Sequence, residues 1–322
     1  MRAVQAQRAG GPEVLELVEL PTPVAGPGEV LIRHEAIGLN FIDTYFRSGL
    51  YPGPMPVVLG TEGAGVVEAV GEGVGGLKPG DRVAYAAGPL GGYAELRTYR
   101  ADRVVALPAA VSTRQAAAAL LKGMTAEFLL RRCHPVQAGQ TILVHAAAGG
   151  VGLILVQWGK AIGARVIATA GSPEKAQVAR DHGADEVILY RLEDVAARVK
   201  ALTDGEGVPV VYDGVGADTF EGSLASLARR GLLVSYGNAS GPVPPFPALK
   251  LMRGSLYVTR PTLFDYILTP QELQESAGAL FEVIASGAVK VEIGQEFPLA
   301  QARQAHEALE ARATIGSTLL IP

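Results

Sequence analysis

The chain has 322 residues, with 32 acidic against 28 basic side chains for a formal charge of −4, and 48% of its residues are apolar. That length is long for one ordinary core and comfortable for two, and the near-balanced charge, with no run of more than two consecutive Lys or Arg, excludes the basic footprint of a nucleic-acid-binding protein. A single cysteine, Cys133, excludes an internal disulfide and a Cys-rich metal site; no apolar run approaches the ~18 residues of a membrane helix, and the opening MRAVQAQRAGGPEV lacks the apolar stretch of a signal peptide, so a cytoplasmic protein with no membrane partner is expected.

In chain order, the first third reads as strands and turns. EVLIRHEAIG (29–38) places Val30, Ile32 and His34 on one face, and GVVEAVG (65–71) is another short β-branched run. PTPVAGPG (21–28), YPGPMP (51–56) and KPGD (78–81) supply the turn punctuation of a small β-rich domain. Between them, LGTEGAGVV (59–67) sets Thr61 and Glu62 among glycines and apolar residues, and NFIDTYFRSGLY (40–51) gathers polar and aromatic groups.

From about residue 113 the pattern changes. TRQAAAALLKGMTAEFLLRRC has helical spacing, and then five short apolar strands alternate with helices. The strands are TILVHA (141–146), RVIATA (165–170), DEVILY (185–190), PVVYDG (209–214) and GLLVSYG (231–237); the helices are GVGLILVQWGKAIG, SPEKAQVARDHG, LEDVAARVKALT and DTFEGSLASLARR. This alternation predicts an α/β domain with a Rossmann-type, doubly wound parallel sheet covered on both faces. After PVPPFP (242–247) come a short strand GSLYVT (254–259), a helix around 271–286 and a final helix–strand pair ending TLLIP. Too few residues remain for another core, so this tail is expected to return to the first domain. The expected division is 1–122, completed by 260–322, around a dinucleotide-binding domain at 123–259.

TILVHA runs straight into AAGGVG (147–152), which opens a helix. The first, third and sixth positions of a dinucleotide motif are Ala147, Gly149 and Gly152; the glycines allow close backbone approach to a pyrophosphate, and the helix start favours an anion. An NAD-selective site places Asp or Glu at the end of the next strand. Here Gly171 and Ser172 stand there, followed by Lys175, with Tyr190 ending the third strand; these suit a 2′-phosphate, so NADPH is the expected cofactor. His145 reads as a packed core residue, and Cys133 and His134, adjacent in sequence, do not form a nucleophile–base pair.

GTEGAGVVEAVGEGV, KPGDRV, GLNFIDTYFRSGLYP, HAAAGGVGLILVQWGKAIGA and GSLYVTRP together resemble the quinone oxidoreductase (zeta-crystallin-like) branch of the medium-chain dehydrogenase/reductase superfamily, over essentially the whole chain. The resemblance implies a GroES-like β-rich catalytic domain beside the Rossmann domain, and a homodimer paired through strand 254–259. In zinc-dependent alcohol dehydrogenases of that superfamily a His stands where Thr61 stands and a Cys where Asn40 stands, so a zinc-free chemistry is implied, with no metal ligands in this chain. Two readings of Glu62 stand side by side: a structural acid beside the cleft, or a group that orients others near the nicotinamide.

Without a Lewis acid, transfer of electrons or hydride from NADPH to a quinone, whose π system delocalises the charge, is the expected activity. Reduction of enone or alkenal double bonds is the alternative from the same fold, and a non-catalytic NADPH-binding role is a third. Asn40, Tyr45 and Tyr51 are the candidate catalytic residues: Asn40 to reach the nicotinamide ribose or a substrate oxygen, the tyrosines to bound the pocket or donate a proton. Asn40, Phe41, Ile42 and Asp43 also join the expected cofactor contacts. By resemblance these include Thr125, Phe128, Gly149, Gly150, Val151, Thr169, Gly171, Ser172, Lys175, Tyr190, Gly214, Tyr236, Gly237, Asn238, Ser240 and Arg312. Relatives often carry serine where this chain reads DGVG, so a side-chain contact at Gly214 is lost.

Overall fold

A computed structural model describes residues 1–322, which divide into two compact units. The first comprises Met1–Met124, Ile267–Ala285 and Val291–Pro322; the second comprises Thr125–Tyr266 with Ser286–Lys290. No helix is long and apolar enough to cross a membrane.

The second unit is built on a six-stranded sheet in the spatial order Glu186–Leu189, Arg165–Ala170, Thr141–Val144, Val208–Asp213, Leu227–Ser235, Tyr257–Thr259. Every neighbouring pair runs parallel. Chain order reverses direction in the sheet beside the first strand, Thr141–Val144, the arrangement that opens a crevice at the strand carboxyl ends. The central strands are mainly apolar because both faces are covered: Ile142, Leu143, Val144, Val166, Ile167, Ala168, Val210 and Val211 are all fully buried. One predicted helix is shorter than its pattern. It spans Phe220–Ser226, and the LARR that follows belongs to strand Leu227–Ser235, since Leu227 already pairs with Val208. The run 113–133 likewise ends as an α-helix at Phe128 and widens into a π-helical turn over Leu129–Cys133.

The first unit holds a three-stranded antiparallel sheet (Leu15–Glu19, Arg2–Ala6, Val57–Val58) and a seven-stranded sheet centred on Glu29–Leu39 and Glu62–Val70. In the tail, Ser317–Ile321 lies antiparallel to Glu29–Leu39, and Ile293–Pro298 pairs beside it. Val30 and Ile32 are fully buried and His34 nearly so. His34 Nδ1 faces the Ala94 carbonyl at 2.7 Å, which can only accept, so this nitrogen carries the proton and Nε2 accepts from Tyr85 Oη at 2.9 Å. Burial holds this imidazole neutral, pushing it down to about 4.

Within the otherwise β-rich first third the structure inserts a helix, Phe41–Ser48, that the strand-and-turn reading did not anticipate. Its ends explain it. Asn40 is the N-cap in extended conformation, Asp43 at the third helical position accepts the Asn40 backbone N–H at 2.9 Å, and Gly49 closes the helix at φ 82°, a left-handed position natural to glycine.

Candidate functional site

In the second unit the expected dinucleotide residues gather at the carboxyl ends of the strands. Strand Thr141–Val144 leads through Ala146, at φ 50°, to Gly149, the N-cap of helix Gly150–Ile162. Gly149, Gly150 and Val151 are partly exposed there. A Cβ on Gly152 would lie 2.3 Å from the Ala146 carbonyl oxygen, so this turn passes so close to the helix that only glycine fits. The cradle therefore suits a pyrophosphate at a helix start.

One strand over, Ser172 Oγ caps helix Pro173–Asp181 by accepting from Lys175 N at 3.3 Å. A Cβ on Gly171 would meet Tyr190 Oη at 2.5 Å, so the Tyr190 hydroxyl lies directly over Gly171. Gly171, Ser172, Lys175 and Tyr190 thus stand together, with no carboxylate at the end of strand Arg165–Ala170. Farther along the sheet edge, the Tyr236 ring packs against Gly214, where a Cβ would approach it to 2.9 Å. Ser240 Oγ donates to Val215 O at 2.9 Å, and Asn238, its amide oriented to satisfy both ends, donates to Gly237 O (3.1 Å) and accepts from Arg260 Nη2 (3.3 Å).

Thr169 and Phe128 need correction. Each is only 1% exposed, which leaves no surface for direct contact with a cofactor in this conformation. Phe128 stacks on Tyr266 with ring centroids 4.3 Å apart. The Thr169 hydroxyl faces His145 Nδ1 at 3.1 Å, His145 Nε2 faces Ser223 Oγ at 3.0 Å, and Ser223 donates to Asp213 Oδ2 at 2.7 Å. Asp213 Oδ1 then accepts from Val215 N, Gly216 N and Thr219 Oγ1. This chain of polar groups ties the ends of three neighbouring strands together, so Thr169 supports the platform rather than forming its surface. Thr125 is nearly as recessed, at 8% exposed.

In the first unit, Tyr45 and Tyr51 come together edge to face, 5.3 Å between centroids, with Phe46 against Tyr51 and Phe41 6.5 Å from Tyr45. Tyr45 is buried and Tyr51 half-buried; Phe41 and Ile42 are also half-buried. Arg312, at φ 56°, is half-buried in the returning tail. Asn40 is 5% exposed, and its amide nitrogen donates to Glu62 Oε2 (2.8 Å) and to Gly38 O (3.4 Å). Both N–H groups are thereby engaged.

Asp43, expected among the cofactor contacts, is instead fully buried. Its Oδ2 accepts from Asn40 N (2.9 Å) and Tyr93 Oη (3.1 Å), and its Oδ1 from Thr61 Oγ1 (3.3 Å). Burial pushes this carboxyl up to about 7 against the pull of those donors and of nearby Lys122. Tyr93 Oη also meets His306 Nε2 at 3.0 Å, and His306 Nδ1 meets Arg47 Nη1 at 3.0 Å. Thr61 and Asn40 are therefore knit into hydrogen bonds with each other's neighbours, and no group of three His, Cys, Asp or Glu side chains stands where it could hold a metal. A cavity of about 680 Å³ in this unit lies elsewhere, along 87–91 and 96–103, and contains none of the candidate residues.

Residues 26–109 match the model of the alcohol dehydrogenase GroES-like domain, and residues 150–282 that of the zinc-binding dehydrogenases. A quinone oxidoreductase of Pseudomonas aeruginosa is 55% identical over 323 residues, covering 100% of this chain and 99% of that protein. The chain belongs to the quinone oxidoreductase family of medium-chain dehydrogenase/reductases. The crystal structure of the Escherichia coli quinone oxidoreductase complexed with NADPH superposes with a TM-score of 0.98 at 51% identity, covering all of both chains. A 2-haloacrylate reductase of a Burkholderia species is 40% identical over 99% of this chain and 98% of its own length.

For this quinone oxidoreductase-family chain the sequence reading left out Lys122, Arg47, Tyr93 and His306. Lys122 carried a usable signal: it is the lone charge in the run AAAALLKGM, a helix side that is otherwise apolar, and it is 5% exposed. Tyr93 and His306 lie 213 residues apart and nothing local announces their contact.

Proposed function

We propose that the chain is an NADPH:quinone oxidoreductase that works without zinc. The observation that carries this is the full-length similarity to quinone oxidoreductases, one of them solved with NADPH, together with a second unit whose Gly171, Ser172, Lys175 and Tyr190 suit a 2′-phosphate. Zinc independence is supported by donor chemistry: an amide and a hydroxyl at Asn40 and Thr61 are poor replacements for thiolate and imidazole, and the Thr61 hydroxyl is turned to Asp43.

Bound NADPH supplies the electrons or hydride, and a conjugated acceptor takes the charge into its own π system. The protein's task is then to bind, orient and exclude water. The Gly149–Gly152 turn receives the pyrophosphate, and the Gly171–Lys175 segment with Tyr190 holds the adenosine phosphate. The Tyr45–Tyr51 pair offers an aromatic wall for a flat acceptor, with two phenol hydroxyls as proton donors to the reduced product. Asn40, having no N–H to spare, is an acceptor toward any ligand. Of the two expected partners, the nicotinamide ribose and a substrate oxygen, an acceptor suits one that carries a hydroxyl.

A double-bond reductase is the second reading, favoured by the 2-haloacrylate reductase relative. Following NADPH oxidation in chelator-treated protein with 1,4-benzoquinone or 1,2-naphthoquinone, an alkenal and a simple aldehyde separates the readings. Quinone turnover unaffected by chelator, with no aldehyde reduction, is the expected result; turnover of the alkenal alone selects the second. A cytoplasmic setting fits chemistry that draws on NADPH.

The same reading includes a homodimer. Tyr257–Thr259 is the outermost strand of its sheet, with Tyr257 59% exposed and Leu249 and Met252 more than 70% exposed nearby in sequence. Pairing two such strands would extend the sheet and cover an edge that otherwise invites aggregation. Sedimentation at micromolar protein should give twice the chain mass, and Tyr257→Pro, which disrupts strand pairing at that edge, should shift it toward monomer.

A further inference from the structure

Glu62 is fully buried at the start of strand Glu62–Val70, and its carboxylate occupies space that a side chain on Gly38 would fill: a Cβ there would lie 2.3 Å from Glu62 Oε2 and 2.2 Å from Ala117 O. Three donors converge on it. Oε1 accepts from Leu121 N at 2.6 Å; Oε2 accepts from Asn40 Nδ2 at 2.8 Å and from Lys122 Nζ at 3.3 Å. Lys122 and Glu62 are a buried ion pair, with side-chain exposures of 6% and 0%. Such pairs seldom improve stability over apolar residues of the same size, so this one is better understood by what it orients.

What it orients is a carboxamide. A carboxylate can only accept, so Asn40 must present nitrogen to Glu62, and its second N–H goes to Gly38 O. The two-lone-pair carbonyl oxygen is the only part of that side chain with bonding capacity to offer a ligand. We infer that Glu62 and Lys122 are positioning residues that fix the Asn40 carboxamide as a hydrogen-bond acceptor, so that its ligand partner is a hydroxyl and not the carbonyl of a quinone. On the quinone-reductase reading, on which the identity of that partner rests, two hydroxyls are available: one on the ribose of NADPH, and one on the reduced product.

Glu62→Gln breaks the clamp by a defined route. Leu121 N–H keeps the one remaining oxygen, so an NH2 group faces Asn40 and Lys122, and Asn40 must turn its own oxygen toward it. Lys122→Met removes one of the three donors that hold the Glu62 carboxylate in place, whereas Lys122→Arg retains a cationic donor and should behave as wild type. The chain has only two asparagines, Asn40 and Asn238, so protein labelled with ¹⁵N in asparagine side chains gives two carboxamide signals, assigned by Asn238→Ala.

The expected result is that the Asn40 amide protons exchange with water at least tenfold more slowly in wild type and Lys122→Arg than in Glu62→Gln and Lys122→Met. Titrations of NADPH and of 1,4-hydroquinone then distinguish the two hydroxyls: the affinity that falls about tenfold in Glu62→Gln, the size of one hydrogen bond, names the partner. Equal exchange in wild type and Glu62→Gln, or both affinities unchanged within about twofold, would overturn the inference. Protected Asn40 signals in a protein that turns over no quinone would instead overturn the functional reading, and would leave the clamp standing with NADPH as its partner.

Discussion

Replacing Lys175 with alanine should weaken NADPH binding by roughly ten- to a hundredfold, the range of a hydrogen bond to a charged group, while NADH affinity stays within about twofold. The selectivity comes from the phosphate. Lys175 lies in the first turn of helix Pro173–Asp181, beside the Ser172 cap and Gly171, under the Tyr190 hydroxyl. A 2′-phosphate at that helix start would meet the ammonium and the positive end of the helix dipole together; a bare ribose hydroxyl gains little from either. The difference should shrink as salt rises, because a half-buried lysine is partly screened. Fluorescence titration of both dinucleotides against both proteins measures it. Equal losses for NADPH and NADH would make Lys175 a helix-stabilising residue, and no loss for either would place the phosphate elsewhere.

The second unit was legible in the sequence because its signals are local. Strands buried on both faces are short runs dominated by apolar residues, and the Gly149–Gly152 turn is read from spacing within one strand and one helix. Leu227 shows the limit of that reading: nothing in DTFEGSLASLARR marks where helix becomes strand, because the change is set by pairing with Val208 on another strand. The first unit was less legible. Asn40 and Gly49 are good caps in hindsight, but eight residues of mixed aromatic and polar character between a strand and a Gly/Pro-containing loop give too short a period to separate helix from turn. Asp43 was misplaced for a related reason. An acid next to a candidate catalytic Asn suggests a ligand contact, and only the fold reveals that Thr61 and Tyr93 enclose it.

Those enclosing groups make Tyr93→Phe a pH-dependent lesion. Arginine has no acceptor, so Arg47 Nη1 donates to His306 Nδ1; the imidazole, which burial and Arg47 hold neutral by pushing it down to about 3, carries its proton on Nε2 and donates to Tyr93 Oη. Tyr93 must therefore donate to Asp43. Asp43 titrates near 3.9 when unfolded and about 7 when folded, so the native state retains a proton that the unfolded chain has released. The stability this contributes, at most about 4 kcal/mol, is full below pH ~4 and is lost as pH rises through 7.

In that setting the tyrosine hydroxyl serves a neutral acid at pH 5 and a carboxylate at pH 8. Its removal should cost about 1 kcal/mol at the lower pH and about 2–3 kcal/mol at the higher, by the difference between hydrogen bonds to neutral and to charged groups. Urea midpoints of wild type and Tyr93→Phe at both pH values measure the two costs. The same pair in an Asp43→Asn background should show one cost at both, since no charge then appears at position 43. A pH-independent cost with Asp43 intact would mean that the carboxyl is ionised throughout, and that the three donors around it outweigh its burial.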